Sequence, residues 1–283
     1  MWVQTREFTA AQLERFKALQ RQLYATLQEV ADQLIPGVTE RQAARRMHEA
    51  LRSQGARTYF HVPVALFGER SAYPGAFGQL EALPTERALR AGDAVILDAA
   101  PVFEGYTVDC SYAVPRADGD RAAFAEADAL LQRCRSLILE RARERANMRA
   151  VAREVDALIS ATGFENCHRK HIGKVLAHRV TRSRGGWVGS RRVWGLSPLT
   201  ATYFLVASVR SSRGRAELTP NWNHTRQSDC PMQTGLWAVE PHVARGATGV
   251  KFEEILVVTR DGAYYLDDDL PHCRRWAAGG TNA

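Results

Sequence analysis

The chain has 283 residues, of which 45% are hydrophobic and 24% charged, a composition typical of a soluble globular protein with one large domain or two small ones. It has no apolar run long enough to span a membrane, and residues 1–10 lack the apolar core of a secretory signal, so the sequence predicts a cytoplasmic protein that does not enter a membrane. The 5 cysteines include no Cys-x-x-Cys pair, which argues against a zinc ribbon or a disulfide framework.

The first part of the chain predicts two helices. Apolar residues at spacings of three and four predict a helix that starts at Thr9 and ends before Pro36-Gly37. Thr39-Glu40-Arg41-Gln42 is a capping-box pattern, which predicts a second helix that ends at Gly55.

Two acidic residues stand beside strands in the next segment. After a strand predicted over residues 57–67 and a loop over residues 68–84, an apolar run ends at Asp98 and a second run begins after Asp109. Two strands joined by a loop face each other, so both carboxylates can converge on one point. Two buried carboxylates repel each other, and a multivalent cation would compensate them. The pair therefore indicates half of a metal site, although two ordinary strand-end residues at a surface would give the same pattern.

The order of elements repeats in the second half. A helix is predicted over about residues 122–145, and a shorter one follows that ends at Gly163, which lies 108 residues after Gly55. The same offset links Thr39 to Asn147, and both are residue types that cap helices. The repeat predicts that the second half also ends in a pair of strands with acidic residues.

Such a pair is present. An apolar run ends at Glu240, and Glu253 stands near the start of the next strand. The two acids are 13 residues apart, against 11 for Asp98 and Asp109. The repeat therefore predicts two similar halves whose four carboxylates face each other.

Positive charge is concentrated between the two halves. From Arg169 to Arg215 there are 11 Lys or Arg residues and no Asp or Glu, whereas the whole chain has a net charge of +7, so the rest is acidic overall. Residues 181–231, with Trp187, Trp194 and Trp222, are interpreted as a basic insertion or lid. Such a surface could attract an anionic substrate, but no nucleic-acid-binding motif accompanies it, so nucleic acid is not the predicted partner.

Four fragments, in order and with plausible gaps, together carry a resemblance to a known family. They are residues 34–40 (Leu-Ile-Pro-Gly-Val-Thr-Glu), 92–111 with the first acidic pair, 237–241 (Trp-Ala-Val-Glu-Pro) and 249–259 with Glu253. In this order the chain resembles the pita-bread metallopeptidases, which include methionine aminopeptidase, aminopeptidase P, prolidase and creatinase. The resemblance covers nearly the whole chain and implies a single catalytic domain over residues 1–283. It also implies an α+β fold in which a pseudo-twofold repeat of helices surrounds a curved antiparallel sheet.

The resemblance also implies two divalent metal ions (Mn, Fe, Co or Zn), held by four carboxylates and one imidazole. The implied ligands are Asp98, Asp109, His178, Glu240 and Glu253. His178 fits the family pattern because a small residue precedes it and a β-branched residue stands two positions later. His171 remains the rival ligand or a neighbour of the site.

The residues that touch substrate are harder to assign. Family peptidases place a His shortly before the first Asp, but the corresponding loop, residues 71–78, has none. His61 and His242, together with His171, are the candidates to stabilise the oxyanion, and Glu240 would also be the general base.

The predicted function is hydrolysis of an amide or peptide bond by an aminopeptidase- or Xaa-Pro-peptidase-like enzyme. The predicted substrate is a small peptide, with another small molecule, including an anionic one, as the alternative. Two alternatives remain open: creatinase-like C–N chemistry on the same fold, and a non-catalytic binding module with a basic surface. The sequence leaves the oligomeric state open, with a homodimer as the alternative to a monomer.

Overall fold

The computed structural model describes residues 3–75, 81–183 and 197–280. The α-helices in these ranges are α1 (Ala10–Asp32), α2 (Glu40–Ser53), α3 (Arg121–Arg143), α4 (Met148–Ser160), α5 (Pro198–Ser212) and α6 (Pro271–Gly280). None of these helices has the length and apolar content needed to cross a lipid bilayer.

The strands are short, and every pairing between them is antiparallel in the described residues. They are β1 (Val3–Gln4), β2 (Thr58–Tyr59), β3 (Val64–Phe67), β4 (Val95–Ala99), β5 (Pro101–Phe103), β6 (Tyr106–Thr107), β7 (Cys110–Val114), β8 (Glu165–Asn166), β9 (Val175–Arg179), β10 (Arg182–Ser183), β11 (Asn221–Asn223), β12 (Gly235–Val239), β13 (His242–Arg245), β14 (Thr248–Lys251), β15 (Glu254–Val258) and β16 (Ala263–Tyr265).

The helix starts agree with the predicted caps. Thr9 and Thr39 both form capping boxes, in which the threonine hydroxyl accepts from the amide three residues later and the glutamine there bonds back to the threonine amide. Asn147 caps α4 by accepting from the amide of Ala150. The cap positions that the repeat offset links, Thr39 and Asn147, therefore both begin helices.

The same architecture occurs in each half of the chain. In the first half α1 and α2 pack on the sheet β3-β4-β7, and in the second α3 and α4 pack on the sheet β11-β9-β12-β15-β16. Each pair of helices has its own buried apolar cluster, one around Leu23 and Met47 and the other around Leu131 and Val155. The helix faces predicted from periodicity therefore form two cores.

Within the described residues, the hydrogen-bonded ladders group the antiparallel strands into four sheets. A proline follows the acidic residue closely in each half, Pro101 after Asp98 and Pro241 after Glu240. Because proline has no amide hydrogen, it cannot continue the ladder on that side, and the chain moves to another sheet there. An isolated bridge between Tyr112 and Phe252 joins the strands of the two halves.

The strand predicted over residues 57–67 is broken in the middle. Thr58–Tyr59 pairs with β5, whereas Val64–Phe67 pairs with β4 in another sheet. Pro63 stands in the break, and its missing amide hydrogen explains why the ladder does not run through. The break leaves His61 outside both strands.

The range predicted to be an insertion or lid contributes ordered elements. Helix α5 begins with Pro198 at its first turn, where the missing amide hydrogen costs nothing, and β11 pairs with β9 of the second sheet. Trp222 lies in β11 and is fully buried. Trp187 and Trp194 lie outside the described residues, as do residues 76–78 of the loop that lacks a histidine. A lid function for residues 181–231 stays a prediction.

A buried acid fastens the start of α2 to the loop that follows β3. The carboxylate of Glu40, which is 0% exposed, accepts from the amides of Phe67 and Thr85, from the hydroxyl of Thr85 and from Nε of Arg70. Removing one partner of a buried ion pair leaves the other charge uncompensated. This carboxylate is therefore a structural element of the first half.

We expect Glu40→Ala to lower the free energy of unfolding by about 3–5 kcal/mol, the typical cost of leaving a buried charge without its partner. Urea unfolding followed by circular dichroism measures the change. Glu49→Ala, at an exposed position on the same helix, is the matched control and should change stability by less than about 0.5 kcal/mol. Equal stabilities of the two variants would contradict this role for Glu40.

Candidate metal centre

Four acidic side chains and one imidazole meet between the two halves. Nε2 of His178 lies 3.2 Å from Oδ2 of Asp109, 3.2 Å from Oε1 of Glu253 and 3.8 Å from Oε1 of Glu240. Asp98 belongs to the same group, because one lysine nitrogen contacts it together with Glu240 and Glu253. We call these five side chains the acidic centre, and each is at most 6% exposed. They are the five residues that the sequence predicted as ligands, and that role stays a proposal.

Strand ends position the four acids. Asp98 lies in β4 opposite Ser111 of β7, and Asp109 comes directly before β7. Glu240 and Glu253 hold the matching places in the second half, directly after β12 and directly before β15. Because the ends of paired strands are neighbours, the repeated pattern brings the four carboxylates together.

His178 enters the acidic centre from β9. It lies opposite Ala238 of β12, the neighbouring strand, which ends directly before Glu240. Burial by itself would lower the pKa of His178, but hydrogen bonds to Asp109 and Glu253 and the negative charges around it raise that pKa well above its ordinary value. The imidazole is therefore held by the acids from several sides.

His61 reaches the acidic centre from the break between β2 and β3. Its Nε2 lies 3.2 Å from Oδ1 of Asp109 and 3.5 Å from Oδ1 of Asp98, and its Nδ1 lies 3.0 Å from the carbonyl oxygen of Val62. Partial removal from water lowers the pKa of His61, but the charges of Asp109 and Asp98 outweigh this and raise it to about 10. The side chain is 36% exposed, so His61 stands where solvent reaches the centre.

Two groups of potential ligand atoms share Asp109. One group is Asp109, His178 and Glu253, and the other is His61, Asp98 and Asp109; within each group the ligand atoms lie within 4.8 Å of one another. Oδ1 of Asp98 is buried and has no hydrogen-bond partner within the described residues. A buried carboxylate oxygen without a partner is costly, so this site would gain from a cation.

Lys251 lies among the acids, and the sequence prediction did not include it. Its Nζ is 2.8 Å from Oδ2 of Asp98, 2.8 Å from Oε2 of Glu240 and 3.1 Å from Oε2 of Glu253. The side chain is 3% exposed. One signal could have revealed it: side chains two positions apart in extended chain share a face, so Lys251 points to the same side as Glu253.

The charges in this group are strongly coupled. Burial disfavours the ammonium of Lys251, but Asp98, Glu240 and Glu253 outweigh it and raise its pKa well above the ordinary value. Burial would raise the pKa of Glu240, yet the charge of Lys251 lowers it overall. For Glu253, burial and the neighbouring charge of Asp109 outweigh the charge of Lys251, so the pKa of Glu253 is raised. Lys251 is therefore charged, and Glu240 is ionised beside it.

The other two predicted histidines lie around Tyr73. The ring of His171 stacks on the Tyr73 ring with centroids 6.1 Å apart, and burial lowers its pKa. His242 packs edge-on against the same ring at 4.5 Å, and its Nε2 lies 2.7 Å from the carbonyl oxygen of Ser71. Burial and the charge of Lys251 hold the pKa of His242 well below its ordinary value. A neutral imidazole at either place has one N–H that donates a hydrogen bond and one ring nitrogen that accepts one.

An apolar wall borders the acidic centre on the side of His178. The ring of Phe60 lies 5.2 Å from the His178 ring, and Phe204 of α5 lies 5.8 Å from it. The two phenylalanine rings are 4.6 Å apart. The range predicted as an insertion or lid thus supplies one of the two rings beside the centre.

Another potential ligand group consists of Glu254, His272 and Cys273. Its acid is already neutralised, because Arg135 donates to both carboxylate oxygens of Glu254 at 2.6 and 3.0 Å. Such a bidentate pair is a structural contact and leaves the acid little capacity for a metal ion.

Comparison with known proteins places this geometry in context. The sequence model of metallopeptidase family M24 matches residues 14–260. No curated protein sequence matches the chain.

Among solved structures, the X-Pro aminopeptidase of Thermotoga maritima is similar with a TM-score of 0.61 and 17% identity, over 93% of this chain and 62% of that one. The prolidase of Pyrococcus horikoshii gives 0.60 and 14%, over 94% and 65%. The methionine aminopeptidase of Thermotoga maritima gives 0.57 and 17%, over 93% and 99%. This chain therefore spans less than two thirds of the first two proteins and nearly all of the third. At these identities the likeness shows the fold, and the predicted pita-bread fold is confirmed.

Proposed function

This chain belongs to metallopeptidase family M24, and from that premise we propose that it is a metal-dependent hydrolase that cleaves an amide bond near the N-terminus of a small peptide. One observation carries the proposal: the carboxylates and the imidazole that the family resemblance implies as ligands converge in one buried centre. Buried acids at such distances repel one another unless a cation stands between them.

The atoms that face His178 fit one divalent ion. They are Oδ2 of Asp109, Nε2 of His178, Oε1 of Glu240 and Oε1 of Glu253, a set of carboxylates and imidazole that suits Mn, Fe, Co or Zn. The sequence predicts a second ion, which Asp98 would hold together with Asp109 and Glu253. The oxygens of Asp98 and Glu253 on that side face the ammonium of Lys251 instead.

A bound divalent ion would lower the pKa of a water molecule and polarise the substrate carbonyl. Glu240 is placed to accept the proton of the attacking water and to return it to the leaving amine, because it is ionised beside the atoms that would hold the ion. The contact with Lys251 fixes the orientation of that carboxylate. Glu240 therefore combines the roles of ligand and general base in this proposal.

The histidines around the centre would serve the substrate. His61 is partly exposed at the edge of the centre, and its Nε2, which faces Asp109 in this structure, would donate a hydrogen bond to the oxygen of the scissile bond after turning from that acid. His171, beside Tyr73, is the other candidate for this role, whereas the predicted candidate His242 donates its single N–H to the carbonyl oxygen of Ser71. Phe60 and Phe204 would pack against an apolar part of a small substrate.

A second candidate function is hydrolysis of a C–N bond that is not a peptide bond. Within the described part of the loop between residues 71 and 78 there is no histidine, and Lys251 among the acids departs from a centre made only of acids and imidazole. Both features would change which protein groups contact the substrate.

Hydrolysis of short peptides tests the proposal. We expect the purified protein to release N-terminal residues from a panel of Xaa-Pro and Met-Xaa di- and tripeptides after loading with Mn²⁺, Co²⁺, Fe²⁺ or Zn²⁺. Chelation followed by dialysis should remove the activity, because the attacking hydroxide forms near neutral pH only on a metal ion. Chromatographic detection of the released amino acids measures it, and adding the ion back is the control. A metal-loaded protein that cleaves no peptide but hydrolyses other C–N substrates would favour the second candidate.

A further inference from the structure

The acids of the centre divide their oxygens between two partners. Oε1 of Glu240 and Oε1 of Glu253 face His178, at 3.8 and 3.2 Å from its Nε2. Oε2 of the same two residues faces Lys251, at 2.8 and 3.1 Å from its Nζ. The centre thus has two cation positions, and one of them already holds the ammonium of Lys251.

The ammonium of Lys251 lies among three acids at this position and donates a hydrogen bond to Asp98. A lysine ammonium carries three donor hydrogens and no lone pair, so it binds carboxylate oxygens but cannot coordinate a metal ion. Three different carboxylates, those of Asp98, Glu240 and Glu253, surround Nζ within 3.1 Å. A divalent ion between Asp98 and Glu253 would need those oxygens at about 2.0–2.2 Å, and it would meet a positive charge in direct contact.

His61 covers the remaining oxygens of the same position. Its Nε2 lies 3.5 Å from Oδ1 of Asp98 and 3.2 Å from Oδ1 of Asp109. The second oxygen of Asp98 is the one that Lys251 contacts at 2.8 Å. Lys251 therefore contacts one oxygen of Asp98, and the His61 ring lies beside the other, which has no hydrogen-bond partner within the described residues. In the part of the chain that the structure describes, no lysine contacts the atoms that face His178.

We propose that Lys251 takes the place of the second metal ion, so that the protein binds one divalent ion, held by Asp109, His178, Glu240 and Glu253. This inference rests on the proposed metal-dependent function and specifies its cofactor. It replaces the predicted pair of ions by one ion and one ammonium, and it gives Asp98 the role of a partner to Lys251 instead of a ligand.

Metal stoichiometry tests the inference. The full chain is stripped with chelator, loaded with Mn²⁺ or Zn²⁺, desalted and measured by elemental analysis against protein concentration. We expect one ion per wild-type chain. For Lys251→Met, which keeps the length of the side chain but removes its charge, we expect two ions per chain and a larger rise of Tm on adding the ion than in the wild type.

Lys17→Met, on α1 and partly exposed, is the matched control and should keep one ion. Lys251→Gln provides a second neutral variant, and circular dichroism establishes that each variant is folded. If Lys251→Met does not fold, the wild-type count still decides between one ion and two.

The outcomes separate the inference from the proposed function. Two ions in the wild type together with peptide hydrolysis would overturn the inference and leave the proposed function standing. No bound ion and no hydrolysis would overturn both. One ion in the wild type and still one in folded Lys251→Met and Lys251→Gln would show that the lysine is not the reason for the single site, which also contradicts the inference.

Discussion

Asp109→Asn is expected to abolish both metal binding and hydrolysis. Asp109 is the acid shared by the two groups of potential ligand atoms, with Oδ1 at 3.2 Å from His61 and Oδ2 at 3.2 Å from His178. Its pKa is lowered below the ordinary value, because the charges and hydrogen bonds of His61 and His178 outweigh burial, so it is ionised at neutral pH. The amide of asparagine has the same shape but lacks the negative charge that a divalent ion requires.

Loss of a residue that only hydrogen-bonds to a metal ligand lowers metal affinity about 10- to 100-fold. Loss of Asp109, a ligand itself, should therefore lower the affinity by at least about 100-fold. Isothermal titration with Zn²⁺ measures the affinity, and peptide hydrolysis is assayed on the same samples. Asp261→Asn, at an exposed turn between β15 and β16, is the matched control and should leave both unchanged. Wild-type affinity in Asp109→Asn would exclude a metal site built on this acid.

Glu240→Gln is expected to reduce hydrolysis strongly while the bound metal is largely retained. General bases contribute about 10²–10⁴ to the rate, and the amide of glutamine cannot accept the proton of the attacking water. The amide oxygen of glutamine can still face the ion, while its NH2 group replaces the oxygen that Lys251 contacts. Glu240 also lies farther from His178 than Asp109 and Glu253 do, at 3.8 Å against 3.2 Å, and those charged ligands remain to hold the ion. We therefore expect kcat to fall by about 10²–10⁴ with a metal content close to that of the wild type.

Elemental analysis and steady-state kinetics on one preparation separate the two roles of Glu240. Glu144→Gln, on the surface after α3, serves as the control for a Glu-to-Gln change. A variant that loses its metal together with its activity would show that Glu240 acts as a ligand without a separate role as a base. A kcat within threefold of the wild type would rule out the general-base role.

The pattern of residues along the chain was sufficient to predict the elements that carry the centre. Helix starts at Thr9, Thr39 and Asn147 depend on hydrogen bonds within three residues, so they can be predicted from local sequence. The repeated order of elements also predicted that the second half would carry a pair of acids like that of the first half. Periodicity and spacing are properties of the local sequence, so predictions made from them do not depend on how the two halves pack together.

The choice between His178 and His171 needed the register of the sheet. Both residues lie in one basic segment, and only pairing with β12 brings His178 opposite Ala238 and into contact with the acids. His61 likewise reaches Asp109 because a strand is broken at Pro63, and the sequence predicted that strand as continuous.

Which acids converge could be predicted from the chain alone, because each stands at the end of an apolar strand in a repeated order. What lies between those acids depends on the tertiary fold. Lys251 bonds to Asp98 across 153 residues of chain, from the other half of the molecule, and a contact of that kind depends on how the two halves meet. The energy of a buried charge is set by its neighbours in space, so the number of metal ions this centre can take follows from the fold and not from the spacing of its acids.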